Sequence, residues 1–492
     1  MTRSGTRPNI VYICSDQHSF RYTGYAGHPI VRTPNLDRLA ERGTVFSNTY
    51  CASPVCTPGR ASQMTGVYPS DVGSYCNSTV WDGSEPTWAT RLSEAGTYCW
   101  ATGKFDLNPD FSSGFHEVET RNGHYDNPDI TSLFRNPPCY RMDERPDVDG
   151  RSRENDHHDA ILTDHVVQFL KNESSSMSEP WLCWVGMSQP HPRFVAREDY
   201  FDSYSIDEID LPDIREDDLE QMHLVYQALR HFKRVATPIS EERVRRARAG
   251  YYGMITELDA YVGKIYDALE ESGQLEDTVF IYTSDHGESL GEHGLWHKSS
   301  LYENASHVPL VIAGPGIEAG RTIDTPVAHV DIAATFFEYA GLDQPKTMRG
   351  HSLLPMLRGE GDGDHPGWTY TEAHSEGLST GGFLIRKGPW KYVHFTYHDD
   401  LLFNLDEDPG EFSNRIGDTD VQDVVDELRS ILNNEVDTER VTQEAFAAQN
   451  RMLEKIAQGK SAEELAQVFW DRLGPGQATL LAQKVVEQTQ RE

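Results

Sequence analysis

The chain of 492 residues has no run of about 18 apolar residues, so no membrane-spanning helix is expected. It is short of positive charge: 44 Lys and Arg stand against 78 Asp and Glu, a formal net charge of −34. Nucleic acid and anionic membranes repel such a surface, so neither is expected as a partner. The acidic excess fits a salt-adapted surface, and an anionic ligand would require a locally positive pocket. The opening residues, Met1 to Asn9, carry no apolar stretch, so no signal peptide is expected and the protein reads as cytoplasmic. Cysteine is sparse and odd in number (Cys14, Cys51, Cys56, Cys76, Cys99, Cys139 and Cys183), and no C-x-x-C occurs. A disulfide framework and a zinc ribbon are therefore not expected, and most of these thiols read as small buried hydrophobes. Apolar residues at 37% and a mean hydropathy of −0.59 describe a globular protein long enough for one large core or two domains.

What is present centres on residues 51 to 66, Cys51-Ala-Ser-Pro-Val-Cys56-Thr-Pro58-Gly-Arg60-Ala-Ser-Gln-Met-Thr-Gly66. Pro58 suits the first turn of a helix, where a missing N–H costs nothing. Cys56 then falls just before a helix N-terminus, whose N–H groups and macrodipole favour negative charge. Arg60 adds a permanent cation with a donor fork. A nucleophile thus lies beside an anion cradle.

Along the chain, short apolar runs alternate with helical spacing. Residues 9–14 read as a buried strand ending in Ser15-Asp16-Gln17-His18. Residues 33–43 read as a helix capped by Thr33, opened by Pro34, buried at Leu36, Leu39 and Ala40, and stopped by Gly43. A strand at 45–46, a helix at 88–95 and a strand at 97–102 follow. Residues 156–171 read as a helix with Ile161, Leu162, Val166, Val167 and Leu170 on one side. Further strands are expected at 181–187, 278–283 and 308–313, and helices at 241–271 and 331–340. The alternation predicts a parallel sheet with crossover helices, whose ligands gather at the carboxyl ends of strands. Two long stretches, 108–155 and about 193–240, show little periodicity and read as loops that rim a substrate pocket. Beyond about 365 a hairpin (382–385 and 390–395) and a helix (421–432) are expected. The last fifty residues read as short helices, packed on their own subunit or forming an arm that docks on a second copy.

C-x-P-x-R followed by A-S-x-x-T-G resembles the signature of the type I sulfatases, and Leu401 to Gly410 resembles the L-F-D-L-x-x-D-P-x-E run near the end of that family. Gly59 departs from the Ser or Ala usual there. The resemblance spans residues 8 to about 435. It implies an alkaline-phosphatase-like α/β fold, with a large mixed, mostly parallel sheet sandwiched by helices. The change of texture near 365 and the end of the resemblance near 435 divide the chain into a catalytic domain (1–364), a C-terminal α+β subdomain (365–435) and a helical extension (436–492). The resemblance also implies that a formylglycine-generating enzyme oxidises Cys56 to formylglycine (3-oxoalanine), whose hydrate is the nucleophile.

Asp16 with Gln17, and Asp285 with His286, offer three hard oxygens and an imidazole at two expected strand ends. Together with residue 56 they form a candidate site for one divalent cation, Ca²⁺ first, with Mn²⁺ and Mg²⁺ open. The D-Q and D-H pairs resemble the choline sulfatase and phosphonate monoesterase branches. Lys104, His191 and Lys298 match family positions that contact the sulfate or the leaving oxygen. Asp106 stands where the family usually has histidine. It resembles the G-K-x-D of the arylsulfatase K-like branch, which acts on a sulfated uronic acid, and reads as a base or as a contact to a substrate cation or hydroxyl. The expected reaction is hydrolysis of a sulfate ester, of a sulfated sugar or uronic acid by preference. Arg60, Lys104 and Lys298 would stabilise the anion, His191 would protonate the leaving group, and Asp285 would help deprotonate the attacking hydroxyl. A phosphate or phosphonate ester hydrolase on the same scaffold is the alternative.

Overall fold

The computed structural model describes residues 7–134, 139–141, 145–214 and 216–489; the expectation about the first residues rests mostly on positions outside these, and both long loops are described only in part. Among the described residues eight strands form the central sheet: β1 (Asn9–Ser15), β2 (Thr44–Phe46), β3 (Tyr98–Lys104), β4 (His116–Arg121), β5 (Trp181–Gly186), β6 (Thr278–Ser284), β7 (Leu310–Ala313) and β8 (Arg321–Ile323). Their order is β8-β2-β7-β6-β1-β5-β3-β4, parallel throughout except for β7, which runs antiparallel to β2 and β6. The expected strand at 308–313 is cut by Pro309, which has no N–H to give a ladder. His307–Val308 pairs instead with Thr49–Tyr50 in a small second sheet.

The helices that matter below are α1 (Pro34–Arg42), α2 (Cys56–Thr65), α3 (Trp88–Glu94), α4 (Gly123–Asp126), α5 (His158–Gln168), α6 (Leu224–Phe232), α7 (Glu241–Glu271), α8 (His329–Ala340), α9 (Gln422–Glu435), α10 (Thr438–Ala457), α11 (Ala462–Leu473) and α12 (Pro475–Thr489). Strand β1 shows why its sequence is a continuous apolar run. Ile10, Tyr12 and Cys14 pack with α2, α3 and α8 on one face, and Val11 and Ile13 with α1, α5 and α7 on the other.

Two local expectations are corrected. The Thr33 side chain does not cap α1; its hydroxyl donates to Asp37 and accepts from Gly24 N–H. The free N–H groups of Asn35 and Leu36 donate instead to the buried carboxylate of Asp259 on α7. On α5, Ile161 is 48% exposed, because the buried stripe of Leu162 and Val166 continues into Phe169 and Leu170 and leaves Ile161 off its edge. The two long stretches also contain regular structure: β4 and α4 lie in the first, α6 in the second.

A four-stranded antiparallel meander of β9 (Trp368–Ala373), β10 (Gly382–Lys387), β11 (Trp390–Phe395) and β12 (Leu401–Asn404) is covered by α9, with Tyr370, Ile385, Tyr392 and Leu402 against Val425, Leu428 and Leu432. Helices α10 to α12 fold back on their own chain. Leu465, Phe469, Leu473 and Leu481 pack with Ile130, Leu133, Phe134 and Phe232. Among the described residues no helix is long and apolar enough to cross a membrane. All seven cysteines are buried and unbridged.

Candidate active site

Strand register builds the site. Ser15 of β1 is paired with Ser284 of β6, so the next residues, Asp16 and Asp285, stand abreast at the carboxyl edge of the sheet. Asp285 N–H donates to Ser15 O at 3.1 Å. On the other side, Cys14 of β1 is opposite Gly186 of β5, and Gly186 is opposite Gly103 of β3, which brings Lys104 to the same edge. Gly103 has φ +92°, and a Cβ there would lie 2.1 Å from Gly186 O, so this close approach of β3 to β5 requires glycine.

Cys56 opens α2 as its first helical residue, one position further in than expected, and every residue of α2 is buried. Gly59 is where the helix passes backbone: an added Cβ would meet Ser53 O at 3.0 Å and Asp285 O at 3.3 Å. Lys298 Nζ donates to Cys56 Sγ at 2.8 Å, His286 Nε2 lies 3.2 Å from it, and Asp16 Oδ1 3.8 Å. Burial pushes the Cys56 thiol up, but Lys104, Lys298, His286 and His124 together pull it well below the ordinary cysteine value.

Arg60 is turned towards protein rather than an open anion site. Its Nε donates to Asp285 Oδ2 at 2.9 Å, and its terminal nitrogens to Lys104 O at 2.8 Å and Ser15 O at 3.5 Å. The cations beside Cys56 are Lys104, paired with Asp16 and 3.2 Å from Asp106, and Lys298, which donates to Cys56 Sγ. His191 is held by its own turn, Nδ1 against Pro192 O at 2.7 Å, and lies close enough to Asp16 to lower that carboxyl.

Asp16, Cys56, Asp285 and His286 offer ligand atoms all within 4.8 Å of one another. Two buried carboxylates at this spacing repel. Burial and Asp16 raise the Asp285 carboxyl. Burial and Cys56 push the Asp16 carboxyl up, but Lys104, His191 and Arg60 outweigh them and hold it at about 2. His286 Nδ1 faces Gly287 O at 3.0 Å and donates to it, which turns Nε2 toward both carboxylates at 3.7 Å. Gln17 has φ +73° and its Nε2 donates to Glu288, while its buried Oε1 has no hydrogen-bond partner. These donors fit a divalent cation.

Three residues that the sequence did not point to complete the surroundings. Asn77 Oδ1 accepts from Thr57 N–H at 3.1 Å beside the nucleophile position, and its Nδ2 donates to Glu376. Glu376, buried at φ +55°, also accepts from Ser299 Oγ at 3.3 Å and is 3.6 Å from Arg141. His124 arrives on α4 and, with Cys56 and Asp106, forms a second cluster of donor atoms within 4.8 Å. Burial lowers the His124 imidazole, and Asp106 and Cys56 more than reverse this. The strand that leads into α4 and His124, β4, is a polar edge strand without the apolar run that marks its neighbours. The signal for it was the alternation of Glu117, Val118, Glu119 and Thr120.

Comparison with known proteins adds the following. A family model described as sulfatase matches residues 8–342, and one described as N-sulphoglucosamine sulphohydrolase, C-terminal, matches residues 291–438. Arylsulfatase K of Danio rerio is 31% identical over 460 residues, covering 88% of this chain and 84% of that protein. Choline-sulfatase of Rhizobium meliloti is 33% identical over 430 residues, covering 83% and 82%. Among solved structures, the phosphonate monoester hydrolase of Silicibacter pomeroyi superposes with a TM-score of 0.71 at 27% identity, covering 87% of this chain and 95% of that one.

Proposed function

Because the chain belongs to the sulfatase family, we propose that it works through residue 56 after a formylglycine-generating enzyme has oxidised Cys56 to formylglycine (3-oxoalanine). The reaction is hydrolysis of a sulfate ester to an alcohol and sulfate. The observation that carries the assignment of residues is the convergence of Lys298, His286 and Asp16 on Cys56 Sγ, an atom that stands in for the oxygens of the hydrated aldehyde.

Hydrated formylglycine supplies two hydroxyls on one carbon, one to attack sulfur and one to expel the sulfate afterwards. A divalent cation held by Asp16, Gln17, Asp285, His286 and residue 56 supplies Lewis acidity and a template for the anion. Three hard oxygens favour Ca²⁺, and the imidazole keeps Mn²⁺ and Mg²⁺ in competition. Lys104 and Lys298 balance the charge on the sulfate oxygens, helped by the N-terminus of α2. Arg60 fixes Asp285, which takes the proton of the attacking hydroxyl. His191 gives a proton to the departing alcohol. The substrate class we propose is a sulfated sugar or uronic acid, supported by Asp106 and by the likeness to arylsulfatase K. Self-association through the extension would use the outward Val468, Trp470 and Leu480, which are 44%, 44% and 52% exposed; Trp470→Glu would then reduce the hydrodynamic size.

Peptide mass spectrometry of active protein tests the nucleophile: an aldehyde or its hydrate at residue 56 is expected, and full activity from unmodified cysteine refutes it. A screen of sulfated monosaccharides, uronic acids and choline sulfate tests the substrate. The second reading, a phosphate or phosphonate ester hydrolase, is favoured by Gln17 and by the superposition on a phosphonate monoester hydrolase. Sulfate and phosphonate esters compared at matched leaving groups separate the two.

A further inference from the structure

Resting on the reading of residue 56 as the oxidised nucleophile, the geometry points to His124 as the catalytic base that releases sulfate, with Asp106 as its positioning carboxylate. Two clusters of donor atoms meet at Cys56. One is Asp16, Asp285 and His286; the other is Asp106 and His124, and the two share only residue 56. A geminal diol has two hydroxyls with two tasks, and the second cluster matches the second task.

The strands explain how an imidazole reaches this point. Strand β4 runs parallel to β3, with Lys104 opposite Arg121. Past the last pair the two chains stay together: Asp106 N–H donates to Arg121 O at 3.2 Å and Leu107 N–H to Asn122 Oδ1 at 2.9 Å. A Cβ on Gly123 would be 3.9 Å from Asp106 Oδ1, so α4 starts against that carboxylate. His124 Nε2 lies 3.9 Å from Asp106 Oδ2. Asp106 itself is 1% exposed and holds φ +54°; its Oδ2 is 3.2 Å from Lys104 Nζ, and its Oδ1 has no hydrogen-bond partner. Lys104 is shared with Asp16, and an imidazolium at His124 gives the buried Asp106 carboxylate a second partner.

In the release step the proton of the free hydroxyl on residue 56 passes to the His124 imidazole. The O–H electron pair forms the carbonyl bond, the C–O bond to the sulfate breaks, and its electrons leave with sulfate. Asp106 stabilises the imidazolium, which returns its proton to water.

His124→Gln tests this with an aryl sulfate. Steady-state kcat should fall about 10²-fold or more. The first turnover should survive as a burst of one phenol per formylglycine. Quenched protein should carry a sulfuryl group on the residue-56 peptide, and kcat should no longer depend on the leaving group. Added imidazole should restore part of the rate, and Asp106→Asn should show a weaker burst of the same kind. A raised KM at unchanged kcat would make His124 a substrate contact, reduced metal content would make it a ligand, and loss without a burst would assign it elsewhere; each overturns the proposal. His124→Asn serves if the glutamine variant folds poorly. Wild-type turnover with an unmodified residue-56 peptide would instead sink the nucleophile reading, whatever His124 does.

Discussion

Arg60 holds together more of the site than its sequence position implies. It is fully buried and joins Asp285 to the ends of β1 and β3. Removing one partner of such a pair leaves an uncompensated buried charge, so Arg60→Ala should cost about 3–5 kcal/mol of folding stability along with activity. Denaturant midpoints check this; a change under about 1 kcal/mol would make Arg60 a ligand contact only. A second residue-scale case lies away from the site. Lys391 is buried between Glu303 at 2.9 Å and Glu411 at 2.7 Å, one cation for two carboxylates. Burial, with Glu303 adding to it, raises Glu411 to about 7. A carboxyl that binds its proton more tightly when folded loses stability as pH climbs from its unfolded value of about 4.3 towards that point. Glu411→Gln should therefore gain on the wild type by roughly 1–3 kcal/mol by pH 8 and show little gain at pH 5. Melting curves across that range decide it.

At the scale of elements, helix α7 and the strands that end in Asp16 and Asp285 were legible because their periodicity is strong. The expected helix at 241–271 agrees with the structure at both ends. Asp16 and Asp285 were found because they follow apolar runs, and register then made them neighbours. Strand β4 was not legible, since an exposed edge strand needs no apolar residues, and His124 went with it. The capping of α1 by Asp259 was hidden for another reason: the partner is more than 200 residues away. The C-terminal helices could be read as helices, but which surface they cover is settled by their contacts with Ile130, Leu133, Phe134 and Phe232. Deleting α11 and α12 uncovers those four side chains, each worth about 1.5–3 kcal/mol when buried. The truncated chain should melt lower. Its kcat/KM should also fall, because Asp129 and Arg141, the neighbours of Glu376, lie on the segment those helices cover. Unchanged kinetics in the folded remainder would show that the covering is structural alone.

For the whole molecule, a net charge of −34 is set against a site where two lysines, Lys104 and Lys298, lie beside Cys56 and Asp16 and are proposed to face the sulfate. Surface self-repulsion is screened as the Debye length falls from about 10 Å at 0.1 M salt to about 3 Å at 1 M. The melting temperature should rise over that range, by a few degrees for each kcal/mol relieved. A flat or falling curve would remove the salt-adapted reading of the surface.

The seven buried, unbridged thiols turn the protein into its own gauge of maturation. A thiol reagent should find none of them while the fold is intact. In denaturant it should count seven per chain if residue 56 is still cysteine, and one fewer if it has become an aldehyde. A colorimetric titration on the bench thus reports what fraction of a preparation is competent before any substrate is known.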